Sequence, residues 1–151
     1  MGQQQLLLVI LVTIIVGIAT VVAINIFGTA AEQAERDAVR QDLLSAAVQA
    51  QGIWARPTLM DGAGRNFGNF EPGELLTRLN IPAESDHVPN STPLVNSNGS
   101  YTVAVTNDGD GLEITGAPAS GSPDIVLEVF RNDETGGWTV RIDNEEEQST
   151  T

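Results

Sequence analysis

The stretch GQQQLLLVILVTIIVGIATVVAINIF, residues 2–27, decides the fold of this chain. Residues 6–24 are nineteen consecutive residues without a charge, and all but three of them are large aliphatics or Ala. At 1.5 Å per residue a helix of that length is about 30 Å long, which matches the hydrocarbon core of a bilayer. A signal peptide has a basic segment followed by a shorter apolar stretch, and this run shows neither feature. The sequence therefore predicts a helix that can span a membrane.

The next stretch, GTAAEQAERDAVRQDLLSAAVQAQGIWARP at 28–57, has no proline before its last position. Its apolar residues recur at three- and four-residue spacings, which is typical of one face of a helix. The predicted apolar face consists of Ala34, Ala38, Leu43 or Leu44, Ala47, Val48 and Ile53. We predict one helix over about 3–55, because the residue before Pro57 is pushed out of the helical region. Gly17 and Gly28 are the positions where that helix is most easily loosened.

Residues 57–98 are rich in Gly, Pro, Asn and Ser, which predicts a connecting loop. One short helix is predicted at EPGELLTRL, residues 71–79, with Pro72 near its first turn. Its inward side chains are expected to be Leu75, Leu76 and Leu79. Phe67 and Phe70 are expected to hold the loop onto the sheet.

Four strand signals follow, separated by turn residues: SYTVAVT (100–106), GLEITG (111–116), DIVLEVFR (124–131) and GWTVRID (137–143). The apolar members of the alternation are Tyr101, Val103, Val105, Leu112, Ile114, Ile125, Leu127, Val129, Trp138, Val140 and Ile142. NDGDG (107–111) and NDETGG (132–137) are typical hairpin loops.

These elements predict an α+β fold, in which a four-stranded antiparallel sheet packs on the amphipathic second half of the long helix. The chain then divides into an apolar helix half (1–28), an amphipathic helix half (29–56), the connecting loop (57–98) and a sheet-bearing head (99–151). The head ends in a polar tail, NEEEQSTT, that we expect to be mobile.

The chain has a net charge of −13, all of it after residue 29, and its seven basic residues are all Arg. Such a surface repels nucleic acid and anionic lipid headgroups, so no nucleic-acid partner is predicted. Many carboxylates without Lys also indicate a surface adapted to concentrated salt, where screening removes most self-repulsion. The absence of Cys excludes disulfides and thiolate metal sites.

No pattern in the sequence indicates catalysis. His87, the only histidine, lies near Glu84 and Asp86, but we interpret ESDHVPN as a solvated loop because a metal site needs converging ligands. NDGDG is interpreted as a turn because it lacks the remaining ligands of a calcium loop. No catalytic triad or phosphate-binding loop is present, so we predict no enzyme activity, cofactor or metal. Two sequons, at Asn90 and Asn98, are candidate glycosylation sites.

The long helix resembles the amino-terminal helix of the type IV pilin superfamily. The resemblance is strongest in GQQQLLLVILVTIIVGIATVVAINIF followed by ERDAVRQDLLSAAVQAQ, about the first 55 residues. It implies an extended helix, a connecting loop and a small antiparallel sheet. It also implies a leader removed by a prepilin-type peptidase and subunits that leave the membrane through a pilus-assembly machinery.

Two departures from the family pattern bear on assembly. Most bacterial pilins have Glu at the fifth mature position; Gln5 stands there if Met1 is the mature terminus, and Leu7 does if cleavage follows Gly2. The family's charge-neutralising role therefore does not carry over, and we assign Gln3, Gln4 and Gln5 to satisfying free amides at the helix start instead. The helix-breaking proline of many bacterial pilins is also missing before Pro57.

The leading hypothesis is that the chain is a subunit of an extracellular pilus-like homopolymer. The subunit lies in the membrane before assembly, and the filament serves adhesion in a high-salt environment. The apolar residues predicted to form the filament core are Leu6, Leu7, Leu8, Ile10, Leu11, Ile14, Ile15, Ile18, Val21, Val22, Ile24 and Phe27. Two alternatives remain open. One is a minor pilin or secretion pseudopilin, and the other is a single-pass anchored binding domain that never polymerises.

Overall fold

The computed structural model of the protein describes residues 2–144, which fall into two units divided after Ala34. The fold is α+β. Helix α1 (Gly2–Ala55) begins one residue before the predicted start and ends where the sequence predicted, before Arg56-Pro57. Neither Gly17 nor Gly28 interrupts its helical backbone.

The second unit, Glu35–Thr151, is called the head from here on, and in it α1 buries one face against the core. The buried residues of α1 are Val39, Leu43, Ala46, Ala47, Ala50, Ile53 and Trp54. Leu43, Ala47 and Ile53 of the predicted face are among them, but Ala34 and Val48 are exposed, so the prediction was wrong at those two positions. Apolar residues are so dense between 38 and 54 that the spacing alone fits more than one stripe. The stripe that is buried in the structure runs from Val39 to Trp54.

Trp54 fixes the end of α1 onto the sheet. Its ring meets Trp138 edge to face, with centroids 5.4 Å apart and an interplanar angle of 87°. Its indole N–H donates a hydrogen bond to Asp110 Oδ1 at 3.3 Å, and the Arg131 guanidinium lies 4.9 Å from the ring centroid. Aromatic and cation–π contacts of this kind add to the stabilisation that burial of the indole provides, so the last turn of α1 has a fixed position on the sheet.

The connecting segment contains two single 3-10 turns, Thr58–Met60 and Phe67–Asn69, and helix α2 (Pro72–Arg78), which has Pro72 in its first turn as predicted. Phe67 is fully buried, and Phe70 is partly buried against the same core. The leucines predicted to point inward, Leu75, Leu76 and Leu79, are fully buried.

Within residues 2–144 the sheet has five strands, not the predicted four. They are β1 (Leu94–Val95), β2 (Gly99–Thr106), β3 (Gly111–Pro118), β4 (Ile125–Arg131) and β5 (Trp138–Asn144), all antiparallel and in chain order across the sheet. The extra strand lies in the predicted loop, where Leu94 pairs with Tyr101. Two residues are too short to show an alternation, which is why the sequence pattern missed it. Residues 145–151, most of the predicted tail, lie outside the described residues.

The buried face of the sheet follows the predicted alternation in β2, β3 and β4. Its fully buried members are Tyr101, Leu112, Ile114, Ile125, Leu127 and Val129. In β5, Trp138 and Ile142 pack against the core, but Val140 is 41% exposed because β5 is an edge strand. Gly116 allows a close approach of β3 to α1, since a Cβ there would lie 2.6 Å from Cγ1 of Val39.

Candidate assembly surface and modification sites

Residues 6–24, which lie in the first unit, have an apolar surface on every side. Each of the sixteen large apolar side chains between Leu6 and Phe27 is between 48% and 73% exposed, with the minimum at Val12. Helix α1 is the one described helix long and apolar enough to cross a membrane, and its most apolar part has no buried residue. Such a surface is not stable in water, because moving one Leu, Ile or Val side chain fully from water into an apolar environment is favourable by about 1.5–3 kcal/mol.

The hydroxyl groups in this unit are satisfied within the helix itself. Thr13 Oγ1 donates to the carbonyl oxygens of Val9 (3.0 Å) and Ile10 (2.8 Å). Thr20 and Thr29 donate in the same way to the carbonyl four residues earlier, at 2.8 and 3.0 Å. A hydroxyl bonded to its own helix does not require a partner from outside. These three threonines therefore allow the helix to be enclosed by lipid or by protein without an unsatisfied hydroxyl donor.

The predicted assembly residues all lie on this exposed surface. The twelve apolar members from Leu6 to Phe27 are exposed, and so are the side chains of Gln3, Gln4 and Gln5 in the first turns of the helix. The capping role of the three glutamines remains a prediction. Four residues were left out of the prediction although they are equally exposed: Val9, Val12, Val16 and Ile26, at 57%, 48%, 57% and 62%. These four residues could have been predicted, because they belong to the same uncharged segment and no polar face separates them from the other twelve.

Gly17 and Gly28 are not required by the chain's own packing. Apart from the adjacent backbone of the helix itself, a Cβ added at either position would have no atom within 4 Å. Glycine in a helix interior is less favourable than Ala by about 1 kcal/mol. Small residues at such positions allow the backbone of another helix to approach closely.

In the head, Asp42 is the centre of a hydrogen-bonded cluster that ties α1 to the turn between β1 and β2. Its Oδ2 accepts from the Tyr101 hydroxyl at 2.6 Å, from the Asn98 amide at 3.0 Å and from the Asn96 amide at 3.3 Å. Asn96 is buried, and its Oδ1 accepts from the backbone N–H groups of Asn98 and Gly99. Each donor is 54 to 59 positions from Asp42 in the chain.

This cluster predicts how the head responds to alkali. Burial of the Tyr101 phenol, together with its hydrogen bond to Asp42, raises the pKa of Tyr101 well above its ordinary value. Because the chain has one Tyr, no Lys and no Cys, no other side chain titrates between about pH 9 and 12. The stabilisation is complete below about pH 10 and decreases as the pH rises toward the folded-state pKa, by about 1.4 kcal/mol per pH unit.

Ultraviolet absorbance of tyrosinate measures this directly. We expect the unfolded chain to titrate near pH 10, whereas the folded chain forms tyrosinate only as it unfolds. Tyr101→Phe should remove the alkaline dependence of unfolding. A folded chain that titrates reversibly near pH 10 would contradict the buried cluster.

The two candidate glycosylation sites differ in their surroundings. Asn90 is exposed in a turn with φ of 64°, and its backbone N–H donates to Thr77 Oγ1 at 3.1 Å. Asn98 is half-buried, and its side-chain nitrogen, the atom that would carry the sugar, donates to Asp42. Ser100 of the second sequon is paired within the sheet. Asn90 is therefore the accessible site of the two.

If the native cell glycosylates this chain, we expect the glycan on Asn90 alone. Asn90→Gln should lower the mass of the intact protein by one glycan, and Asn98→Gln should leave the glycan in place. Intact-protein mass spectrometry of chains purified from the native cell reads both variants. Loss of a glycan mass in Asn98→Gln but not in Asn90→Gln would show that the Asp42 cluster does not protect Asn98.

The other polar groups considered in the sequence form turns. NDGDG is the hairpin loop between β2 and β3, as predicted, and its Asp110 is engaged by Trp54. NDETGG joins β4 to β5 around Asn132, whose Oδ1 accepts from the N–H groups of Glu134 and Thr135. His87 lies in a turn in which its N–H donates to the Glu84 carbonyl at 3.1 Å. Among residues 2–144 no group of three or more His, Asp or Glu side chains is placed to hold a metal ion.

Comparison of the chain with protein-family models, with curated proteins and with solved structures gives no match. The long apolar helix followed by an antiparallel sheet is consistent with a pilin-like architecture. Functional inference therefore depends on the surfaces of the chain itself.

Proposed function

We propose that this protein is the structural subunit of a pilus-like helical filament outside the cell, assembled through the apolar first half of α1. One observation carries the proposal most: sixteen large apolar side chains surround the helix on all sides, each about half exposed or more. A helix apolar on one face can be covered by its own domain. A helix apolar on every face needs to be surrounded, either by lipid or by several other helices.

The energetics favour both environments in turn. Enclosing about a dozen Leu, Ile and Val side chains is worth on the order of tens of kcal/mol before the loss of motional freedom is subtracted. In the membrane, lipid supplies this enclosure, and in a filament the equivalent helices of neighbouring copies supply it. Exposed glycines such as Gly17 and Gly28 favour close contact between helices in the second case. A contact repeated head to tail without closing generates a helical filament.

The remaining parts of the proposal follow from the head and from the resemblance. A head that carries nearly all the charge of a −13 chain remains hydrated outside the filament core and fits a concentrated-salt environment. The resemblance supplies the prepilin-type peptidase and the assembly machinery as partners. Attachment to surfaces is the role we propose for the filament.

The test is to shear filaments from the surface of the native cell, image them by negative stain and sequence the amino terminus of the main protein band. We expect long filaments whose main band is this chain, free of lipid. A short or rare structure with this chain as a trace component would indicate a minor pilin or pseudopilin. A single particle that stays in detergent-extracted membranes would indicate an anchored binding domain and overturn the proposal.

A further inference from the structure

The head also carries two exposed apolar surfaces that are not part of its own core. One is the outer patch, defined here as Leu44, Val48 and the helix surface beside them at Gly52. The other is the apolar turn, defined as Leu59 and Met60 in the 3-10 turn after α1. Leu44 and Val48 are 45% and 67% exposed, and Leu59 and Met60 are 98% and 71% exposed.

The outer patch lies in an uncharged part of an acidic chain. Residues 43–55 contain no ionisable side chain, so the solvent side of this helical segment lacks the charges that a surface helix normally carries. The exposed positions beside Leu44 and Val48 are Gln41, Ser45, Gln49 and Gly52, and Arg40, one turn before Leu44, is partly buried and paired with Asp37.

Gly52 is a separate indication of an external contact. It lies inside the helix, where glycine is unfavourable compared with alanine. Apart from its neighbours and the adjacent backbone of the helix itself, a Cβ at this position would have no atom of the chain within 4 Å. The head's own packing therefore gives no reason for the missing side chain, whereas the approach of another molecule does.

The apolar turn is held in a fixed conformation. Met60 N–H and Gly62 N–H both donate to the Pro57 carbonyl, at 2.9 and 3.1 Å. Arg78 donates to the Asp61 carbonyl oxygen at 2.9 Å and to its carboxylate at 2.7 Å.

Arg78 is itself held in place. It bonds Glu74 at 2.8 Å, and its guanidinium lies 4.5 Å from the centroid of the Phe70 ring. Turns are usually built from Gly, Asn, Asp, Ser and Pro, so two adjacent large apolar residues on a braced turn are unusual. A rigid apolar group loses little freedom on binding.

We propose that the apolar turn of one copy packs on the outer patch of the next copy. The occupant is a second copy because the proposed filament already places copies of the chain side by side. In a −13 chain, heads meet most easily through surfaces that bring few carboxylates together, and the turn and the patch are both apolar; Asp61, beside the turn, is paired with Arg78. The contact joins different surfaces, so each copy offers a patch to one neighbour and a turn to another, which propagates without closing. The inference rests on the proposed filament and adds a contact between heads.

The absence of Cys allows a clean test. Filaments are grown from a mixture of two full-length chains, Val48→Cys and Met60→Cys, and are then oxidised. We expect disulfide-linked dimers joining positions 48 and 60 at ten or more times the yield of a control mixture of Val88→Cys and Met60→Cys. Val88 is a matched control because it is 66% exposed on a different part of the head. Each chain has one cysteine, so every dimer joins two copies.

Gly52→Ala provides a second readout. It should raise the thermal midpoint of the head and lower the 48–60 cross-link several-fold when combined with Val48→Cys. Normal filaments with a 48–60 yield no higher than the 88–60 control, or with dimers joining two positions 48, would overturn this contact and leave the filament proposal intact. If the unsubstituted chain forms no filaments, the proposed function fails and the contact fails with it.

Discussion

A chain carrying Ile14→Asp is expected to enter the membrane normally and to form no filaments. Ile14 lies near the middle of the apolar run and is 54% exposed. An Asp at the centre of a membrane helix costs about 2.5–3.5 kcal/mol on insertion scales, whereas each Leu, Ile or Val contributes about −0.3 to −0.6 kcal/mol. Fifteen large apolar residues remain, so they offset the single carboxylate and the helix still inserts.

Filament assembly should be far more sensitive to the same change. Each copy would place an unpaired carboxylate among apolar side chains, at an effective cost of several kcal/mol per subunit. Since about 1.4 kcal/mol is a factor of ten, subunit association should weaken by at least about a hundredfold. Membrane fractionation and negative-stain counts of sheared filaments measure the two outcomes separately.

Ile14→Leu is the matched control, because it keeps the apolar character and the size of the side chain. It should enter the membrane and form filaments as the unsubstituted chain does. Filaments of Ile14→Asp in normal number would show that this part of α1 is not enclosed in the assembly. Loss of membrane insertion by Ile14→Asp would show that the apolar run inserts less strongly than its composition indicates.

The second large effect concerns the stability of the head. Leu43→Ala should destabilise it by about 2–5 kcal/mol, because Leu43 is fully buried in the core and its removal leaves a cavity. Leu44→Ala should change the stability by less than about 0.5 kcal/mol, because Leu44 is 45% exposed and Ala is a better helix former. The full chain in mild detergent is unfolded with urea, and the fluorescence of Trp54 and Trp138 is followed, since their ring centroids are 5.4 Å apart.

These adjacent leucines test the rotation of α1, which the sequence left open between Leu43 and Leu44. Equal losses of stability at the two positions would show that the helix is rotated from the orientation described here. A small effect at Leu43 with a large effect at Leu44 would place the other stripe against the sheet. The filament contact of the outer patch would then lose its basis as well, because Leu44 belongs to it.

Local patterns predicted most of the secondary structure. The proline at 57 stopped the helix, and the alternation of Leu112 with Glu113 and of Leu127 with Glu128 identified two strands that pair in the antiparallel meander. The spacing of the leucines in α2 also identified its buried face. Each of these signals depends on residues within a few positions of one another, which is the range over which helix and strand periodicity operate.

Contacts between distant parts of the chain were not predictable in this way. The sequence alone predicts that Asp42 is an ordinary surface acid on a helix. In the structure its carboxylate accepts a hydrogen bond from the hydroxyl of Tyr101, 59 positions away. Asn98 reads as a sequon equal to Asn90, although its amide is bonded to Asp42. Leu94–Val95 reads as a loop because a two-residue strand is defined by its partner and not by a pattern of its own.

The sequence by itself determined that a helix begins this chain, that its first half is apolar on every side, and that a meander of strands follows. Hydrophobic periodicity and helix-breaking residues act locally, so they are readable without coordinates. Only the tertiary structure decided which stripe of α1 is buried, which acid is held in a hydrogen-bonded cluster, and which apolar residues of the head are left outside the core. Those outcomes depend on which segments meet across fifty or more positions, and no local pattern encodes that pairing.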